Sequence, residues 1–488
     1  MSKKVKETDF VLTESGKKYG SAVRVKAFLI FILALLATIT ATIVKYIVVD
    51  DLGKHLGKYA FLCYIAVVFG HILILTALAL YGFATRRDWV MKLKVFAVLL
   101  FCILTGYVSC LFLSDISFYF MPVYLTAYLL SPLLSKKDTF AASLIMNIFL
   151  FMTISVECIV TGANLLPAFV MLAVGIVSGS LISFGISEDP KKLNYLIKGT
   201  IINVTAIATM IVLSFIKTNK PLDFVDNLAY MAISSSAAMI IGLLMQYILE
   251  RVFNLITNSR LIELTDHNAP LIKRLITEAP GTFHHSITVS GFAQTCATAI
   301  GENPYLARAA AYYHDIGKLI NSHYFKENQR EINPHDNMLP EVSAEIIRNH
   351  TIHGLELCKE YRIPEEIASV TIQHHGTMPI TVFYNKATKL TDSVVDIDEY
   401  SYHGVPPVTK IAAIIMICDS SEAAIRAMDA PDGERVEKLL TSLIGARISS
   451  GQFDNCDITM RELNIIKKTI IDAYGGVFHS RVKYPEGK

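Results

Sequence analysis

Long apolar runs dominate the N-terminal half of the chain, and they restrict its fold more than any other feature. The runs lie within residues 27–250, and each has about the roughly 20 residues that an α-helix needs to cross a bilayer. Because a segment in lipid must satisfy its own backbone hydrogen bonds, such runs predict membrane-spanning helices. Eight spans are predicted, at 27–49, 59–84, 94–113, 117–135, 139–160, 165–186, 199–216 and 228–249.

The composition agrees with a chain that is partly embedded in lipid. Hydrophobic residues make up 52% and charged residues 18%, with a mean hydropathy of +0.44, whereas soluble proteins carry about 25% charged residues. The net charge of +2 gives no basic excess, so no DNA or RNA polymer is predicted as a partner. The eight cysteines include no CxxC pair, and we expect them to be reduced rather than to bind zinc.

The distribution of lysine and arginine predicts the orientation of the spans. Basic residues precede the first span and follow the second, fourth and sixth, whereas the alternate loops are short or acidic, with Asp50, Asp115 and Asp223. Because basic loops stay in the cytoplasm, residues 1–26 and everything after Arg251 are predicted to be cytoplasmic. The first apolar stretch is too long for a signal peptide, so we expect an uncleaved anchor.

The C-terminal half has the composition of a soluble protein. Helical periodicity dominates residues 251–488, and strand alternation is scarce. The predicted fold class is therefore all-α: a polytopic transmembrane helix bundle over 27–250, a linker over 251–280, and an all-helical cytoplasmic domain over 281–488.

Histidine placement points to chemistry in this second half. All but two of the 14 histidines lie there. Imidazole and carboxylate side chains together suit divalent transition metals such as iron, manganese, zinc or nickel. The informative residues are His284, His285, His314, Asp315, His350, His374, His375 and Asp419.

Helical periodicity indicates that His285, rather than His284, faces the interior. From His285, the positions at i+4, i+7 and i+11 form the apolar stripe Val289, Phe292 and Cys296. A lone histidine on such a face is usually a hydrogen-bonded core residue. Several His and Asp elements in order, each on an inward face, instead favour metal ligands.

Three further residues are marked by their place in helical sequence. His350 and His353 share one helical face, so periodicity leaves both as candidate ligands. Asp419 follows the apolar run 412–418. A buried carboxylate without a partner costs several kcal/mol, so we expect a cation beside it.

The order of these residues resembles the H…HD…D pattern of HD-domain phosphohydrolases. His285, the His314-Asp315 pair and Asp419 match that pattern, while His350 and the His374-His375 pair resemble the added ligands of the two-metal members. Short sequence motifs around these residues resemble more specifically the membrane-bound HD-domain phosphodiesterases that hydrolyse cyclic di-AMP (PgpH type, seven-transmembrane-receptor HD family). These motifs are Glu278–Ser286, Tyr312–Lys318, Glu327–Gln329, Asn333–Asp336 and His374–Thr377.

The resemblance covers about residues 90–480 and implies a two-metal phosphodiesterase that converts cyclic di-AMP to linear pApA. It implies two divalent metal ions, manganese or iron, with Asp315 as the catalytic bridge between them. Lys318 is either a contact to the substrate phosphate or a solvated cation at a helix end. The implied partners are a cyclic dinucleotide and the lipid bilayer. A second copy of the chain, in a homodimer, is a further candidate partner. The implied ligands are His285, His314, Asp315 and Asp419 for one metal, and Asp315, His350, His374 and His375 for the other.

The sequence departs from this family at two places. Only Asp50–Lys58 separates the first two predicted spans, so the large extracellular domain that such proteins usually carry there is not expected. Family members tend to have Asp at the position of His353, which argues against His353 as a required ligand.

Three other functions share part of this pattern. A cyclic di-GMP phosphodiesterase of the HD-GYP type carries a Gly-Tyr-Pro motif after its second-metal histidines. Here Thr377–Ile380 follows His375-Gly376, so that motif is missing. A nucleoside triphosphohydrolase would not need His374 and His375. A catalytically silent nucleotide-binding membrane receptor would be expected to have lost ligands, and all seven positions are filled.

Overall fold

The computed structural model describes residues 21–45, parts of 65–80, 93–187, 189, 191–215, 222–329, 332–429 and 432–477. Every named element in these ranges is an α-helix or a short 3-10 helix, and the described backbone holds one isolated β-bridge, between Pro379 and Ser401. The prediction of an all-α fold is confirmed. The chain divides into two units, within residues 19–260 and 261–488.

The first unit is built from long apolar helices. Among the described residues, six helices are long and apolar enough to cross a membrane, which confirms a polytopic helical half. The second predicted span, 59–84, lies largely outside the described residues. The helices are α1 (Ser21–Val44), α2 (Leu93–Leu113), the short α3 (Leu125–Leu130), α4 (Lys136–Thr161), α5 (Leu166–Gly185), α6 (Lys192–Phe215) and α7 (Leu222–Val252).

The fourth predicted span, 117–135, is not one continuous helix, so that part of the prediction is wrong. A 3-10 helix over Phe118–Phe120 is separated from α3 by residues 121–124, which include Pro122. Proline disfavours helical backbone at the residue before it, and Met121 is extended, with φ −64° and ψ 122°. All side chains of α3 are buried. Irregular backbone at membrane depth is tolerated where protein encloses it in this way.

A buried ion-pair cluster fixes the direction of three helices. Lys45, directly after α1, lies 2.6 Å from Asp115 and 3.4 Å from Glu157. Asp115 follows the end of α2, and Glu157 is in the last turns of α4. The C-terminal ends of the three helices therefore meet, so these helices run parallel. The chain between α2 and α4 must return to the opposite end of the unit through 117–135.

The chain enters the second unit within α8 (Asn258–Leu264). Residues 251–280, the predicted linker, thus contain α8 and α9. The helices that follow are α9 (Pro270–Glu278), α10 (Pro280–Ile300), α11 (Pro304–Tyr313), α12 (Pro340–Glu360), α13 (Glu365–Ala368), α14 (Val370–Gln373), α15 (Thr381–Thr388), α16 (Lys410–Arg426), α17 (Gly433–Ser449) and α18 (Met460–Val477). Four short 3-10 helices cover Ile316–Tyr324, Lys326–Asn328, Pro334–Asn337 and Ile397–Tyr400.

The core of the second unit forms around α16. Its residues 411–419 are all buried, and they cluster with the stripe of α10 that contains Val289, Phe292 and Cys296. Helices α11, α17 and α18 complete this cluster. Because α10 and α16 are held against each other by apolar burial, polar residues at matching levels of the two helices meet in the interior.

The last helix starts with a capping box. The Thr459 amide donates to Glu462 Oε2 at 2.8 Å, and the Glu462 amide donates to Thr459 Oγ1 at 3.2 Å. Lys410 Nζ, at the start of α16, donates to Glu462 Oε1 at 2.6 Å. Glu462 therefore links the N-termini of α16 and α18. The bonds from Lys410 and Thr459 outweigh the effect of burial and lower the pKa of Glu462 to about 2.

We predict that Glu462→Gln lowers the free energy of unfolding of the second unit by about 1 kcal/mol at pH 7. Glutamine keeps the capping bond but loses the charge that faces Lys410. Because the pKa of the folded carboxyl is depressed below its usual 4.5, the stabilisation is complete above about pH 4.5 and is lost as the pH falls toward 2. Denaturant unfolding of the full chain at a series of pH values should show the gap between parent and variant narrowing on acidification.

Glu434→Gln is the matched control for this prediction. The pair of Glu434 with Lys438 has side chains that are 78% and 75% exposed, so its loss should leave stability unchanged. A gap for Glu462→Gln that stays constant down to pH 3 would contradict the role given to its charge.

Candidate metal centre

Five separate segments bring all seven predicted ligands together. His285 lies in α10, the His314-Asp315 pair follows α11, and His350 lies in α12. The other segments are the turn after α14, which carries His374 and His375, and α16, which carries Asp419. The ligand atoms form two groups within which all atoms lie within 4.8 Å of one another, and Asp315 belongs to both. The groups are His285, His314, Asp315 and Asp419, and Asp315, His350, His374 and His375.

Three of the imidazoles are oriented by their own helices. Each bonds through Nδ1 to a backbone carbonyl three or four residues earlier, and since a carbonyl only accepts, the proton sits on Nδ1. Each Nε2 then carries a lone pair directed into the centre. The pairs are His314 with Ala311 O at 2.7 Å, His350 with Ile347 O at 2.5 Å and His374 with Val370 O at 3.2 Å.

These lone pairs face acceptors rather than donors. His350 Nε2 and His374 Nε2 are 3.3 Å apart, yet neither has a proton to give when Nδ1 is protonated. His314 Nε2 and Asp315 Oδ1 are buried and make no hydrogen bond within the described part of the chain. Unsatisfied buried polar atoms are costly. Divalent cations beside Asp315 would satisfy all of these atoms at once, so the residues present fit such ions.

The charge balance of the centre also favours cations. Burial would lower the pKa of His314, but the charges of Asp315 and Asp419 raise it to about 10, so its Nε2 attracts a positive charge, either a proton or a metal ion. Burial would raise the pKa of Asp315, but His314 and Lys318 hold it well below its usual value. Burial would likewise raise the pKa of Asp419, but His285 and His314 hold it well below its usual value, so both carboxylates are ionised and draw in positive charge. Burial lowers the pKa of His374, which keeps this imidazole neutral, the form that binds metals.

The two rival histidines lie outside both groups. His284 is exposed while His285 is buried, as the apolar stripe predicts. His353 is half-buried and belongs to neither group, whereas His350 is buried within the second. The structure thus identifies His350, and not His353, as a candidate ligand, a choice that helical periodicity leaves undecided.

Lys318 is not a solvated cation at a helix end, and that interpretation is wrong. Its Nζ lies 2.7 Å from Asp315 Oδ2 and 2.8 Å from Glu327 Oε1, and its side chain is only 13% exposed. Burial would lower the pKa of Lys318, but Asp315 and Glu327 raise it. The ammonium group therefore remains charged beside the carboxylate that the two groups share.

Sequence reasoning missed the carboxylate behind His285. Glu422 Oε2 lies 2.6 Å from His285 Nδ1, and Glu422 is buried. It follows Asp419 by three residues, one helical turn later on the same face. That spacing was the available signal, since two acids one turn apart in an apolar helix are unusual.

Sequence reasoning also missed the residues that hold the histidine pair. The ring of Tyr402 stacks on His375 with centroids 4.2 Å apart and an interplanar angle of 24°. Gln452 accepts from the Thr377 amide at 3.1 Å and donates to Thr377 Oγ1 at 2.9 Å. Both supports come from distant loops, so no local pattern marks them.

A glycine beside the HD pair sets the distance between two ligand-bearing segments. A Cβ on Gly317 would lie 1.9 Å from His350 O and 2.4 Å from the Gly354 amide. These are backbone atoms of α12 that cannot turn aside. Gly317 therefore allows the segment after Asp315 to lie directly against the helix that carries His350.

We predict that Gly317→Ala destabilises the protein by about 1–3 kcal/mol through overpacking and reduces the bound metal, because His350 moves away from Asp315. Gly291→Ala on α10 is the matched control: nothing lies within 4 Å of its Cβ position, so it should be neutral or stabilise by up to about 1 kcal/mol. Thermal unfolding and elemental analysis of both variants test this. Equal behaviour of the two would contradict the packing argument.

Known proteins match the part of the chain that holds this centre. The HD domain family matches residues 282–424. The cyclic-di-AMP phosphodiesterase PgpH of Bacillus subtilis is 43% identical over 253 residues, 52% of this chain and 35% of that protein. PgpH of Listeria monocytogenes is 42% identical over 262 residues, 54% of this chain and 36% of that protein. The chain thus spans about a third of the length of these relatives.

A solved structure matches over its entire length. The crystal structure of the L. monocytogenes PgpH HD domain in complex with cyclic-di-AMP is 44% identical, with 44% of this chain and 100% of that chain covered and a TM-score of 0.42. The sequence identity extends over the whole of that solved domain. Residues 282–424 thus match the HD domain family, and the half of the chain that holds the candidate metal centre is similar in sequence to PgpH proteins.

Proposed function

We propose that this chain is an integral membrane phosphodiesterase that hydrolyses cyclic di-AMP to linear pApA at the candidate metal centre. The observation that carries the proposal is the convergence of Nε2 lone pairs on two buried, ionised carboxylates, Asp315 and Asp419. The substrate follows from the likeness to PgpH proteins, two of which are cyclic-di-AMP phosphodiesterases by name. The absence of a Gly-Tyr-Pro motif after His375 supports cyclic di-AMP over cyclic di-GMP.

The two groups would hold two divalent cations, with manganese or iron the expected ions. When bound, such a pair neutralises phosphoryl charge and lowers the pKa of water, the chemistry that phosphodiester hydrolysis requires. Asp315 belongs to both groups and would bridge them. Lys318, held against Asp315, would add positive charge where the substrate phosphate arrives. The ligands of the first cation would be His285, His314, Asp315 and Asp419, and those of the second Asp315, His350, His374 and His375.

We predict that the whole chain, purified in detergent with Mn²⁺, converts cyclic di-AMP to pApA and turns over cyclic di-GMP at least about tenfold more slowly. Chromatographic detection of the linear product measures both rates. Equal or faster turnover of cyclic di-GMP would contradict the substrate assignment. Hydrolysis of nucleoside triphosphates alone would favour a triphosphohydrolase, and binding without hydrolysis would favour a silent receptor.

Ligand variants serve as controls for this assay. Asp315→Ala should abolish turnover and remove the most metal, because both groups lose a ligand. His350→Ala should spare the first cation and lower the rate by at least about 10²–10³-fold, by analogy with the loss of preorganised transition-state donors. His284→Ala and His353→Ala should stay within several-fold of the parent. An inactive His284→Ala beside an active His285→Ala would overturn the assignment.

We also propose that the catalytic unit faces the cytoplasm, with residues 27–250 in the membrane, 251–280 as the linker and 281–488 as the HD domain. Basic loops around Lys136 and Lys192 support this orientation. The parallel arrangement of α1, α2 and α4 supports a crossing at 117–135 in a broken, protein-enclosed form. Eight crossings would then place both termini on the same side.

The orientation has a direct test at the broken segment. Reporter fusions after Asp115 and after Asp223 should behave as external, and fusions after Lys136 and Lys192 as cytoplasmic. Fusions after Asp115 and Lys136 that report the same side would exclude a crossing at 117–135. An external fusion after Lys192 would reverse the whole arrangement.

A further inference from the structure

The outer supports of the two ligand groups differ in charge. In the described structure, His314, His350 and His374 rest their Nδ1 atoms on neutral backbone carbonyls. His285 instead rests on the carboxylate of Glu422, with Nδ1 and Oε2 2.6 Å apart. A carboxylate only accepts, so the proton lies on Nδ1 and the Nε2 lone pair is directed inward. That Nε2 lies 3.0 Å from Asp419 Oδ1.

Glu422 is itself firmly placed. It is 5% exposed, and its other carboxylate oxygen accepts from the Arg426 guanidinium one turn later in α16. The same helix carries Asp419 one turn earlier. One helix therefore carries both Asp419 and Glu422, so helical geometry sets the distance between them. Because Glu422 holds the ring of His285, the same helix also fixes where His285 lies relative to Asp419.

We infer that Glu422 is a positioning residue for the first ligand group and makes that group the tighter of the two cation sites. The inference rests on the proposed two-metal function and adds the order in which the sites fill. A charged support fixes the ring of a ligating histidine and raises its basicity, and loss of such a partner typically costs about 10–100-fold in metal affinity. The first group also has two carboxylates, Asp315 and Asp419, whereas the second has Asp315 alone.

Stepwise metal binding tests this inference without reference to catalysis. The whole chain in detergent is stripped of metal with a chelator and titrated with Mn²⁺, and the free ion is followed by electron paramagnetic resonance. The parent should bind one ion tightly and a second more weakly. Glu422→Ala should weaken the tight step by about 10–100-fold and leave the weak step within about threefold. Glu422→Gln, which keeps an acceptor for Nδ1–H, should recover part of the loss.

Matched controls separate positioning from general damage. Glu434→Ala, in an exposed pair on α17, should match the parent in both steps. Arg426→Gln removes only the anchor of Glu422, so it should weaken the tight step by less than Glu422→Ala does. If the alanine variant fails to fold, Glu422→Gln and Arg426→Gln still decide the outcome.

The possible results distinguish this inference from the proposed function. A parent that binds fewer than two ions would overturn the two-metal function. A parent that binds two ions, together with Glu422 variants that bind both unchanged, would overturn only the role of Glu422. Equal weakening of both steps would show a structural role rather than positioning of the first group. Loss of the weak step alone would overturn the proposed order of filling.

Discussion

The carboxylate of Asp315 is the group on which the second unit depends. It is 1% exposed, and an isolated charge in such a place would cost many kcal/mol. Four imidazoles and one ammonium group lie within 3.6 Å of it, with His350 Nε2 at 3.3 Å and Lys318 Nζ at 2.7 Å. These partners come from α10, the segment after α11, α12 and the turn after α14, so the packing of these elements also neutralises one buried charge.

Much of this centre could be predicted from the sequence, because most ligands lie on periodic helices. The apolar stripe after His285 distinguishes it from His284, and the apolar run before Asp419 marks a buried acid. The choice between His350 and His353 was beyond periodicity, since a three-residue spacing leaves both on one face. What separates them is tertiary contact: Gly317 lies against the α12 backbone at His350 and Gly354, and of the two histidines only His350 belongs to a ligand group with Asp315.

The membrane half shows a different limit. Hydropathy identifies stretches that are long and apolar enough to cross a bilayer, but it averages over the break at Pro122. The composition of segment 117–135 predicts a single membrane-spanning helix, whereas the structure has two short helices there. One side chain shows that α1, α2 and α4 run parallel, because Lys45 after α1 contacts acids at the C-terminal ends of the other two helices. A buried lysine of this kind is stable only where carboxylates meet it, so its partners report which helix ends lie together.

The supports of the histidines connect local structure with tertiary structure. His314, His350 and His374 are each oriented by a carbonyl within four residues, so these rings are preset once their own helical turns form. His285 and Glu422 are 137 positions apart, and their contact exists only after α10 has docked on α16. The second ligand group is thus organised chiefly by local backbone, whereas the first requires the assembled core. The same apolar contacts between α10 and α16 that stabilise the unit therefore also decide whether the first group exists, which couples stability and metal binding through one interface.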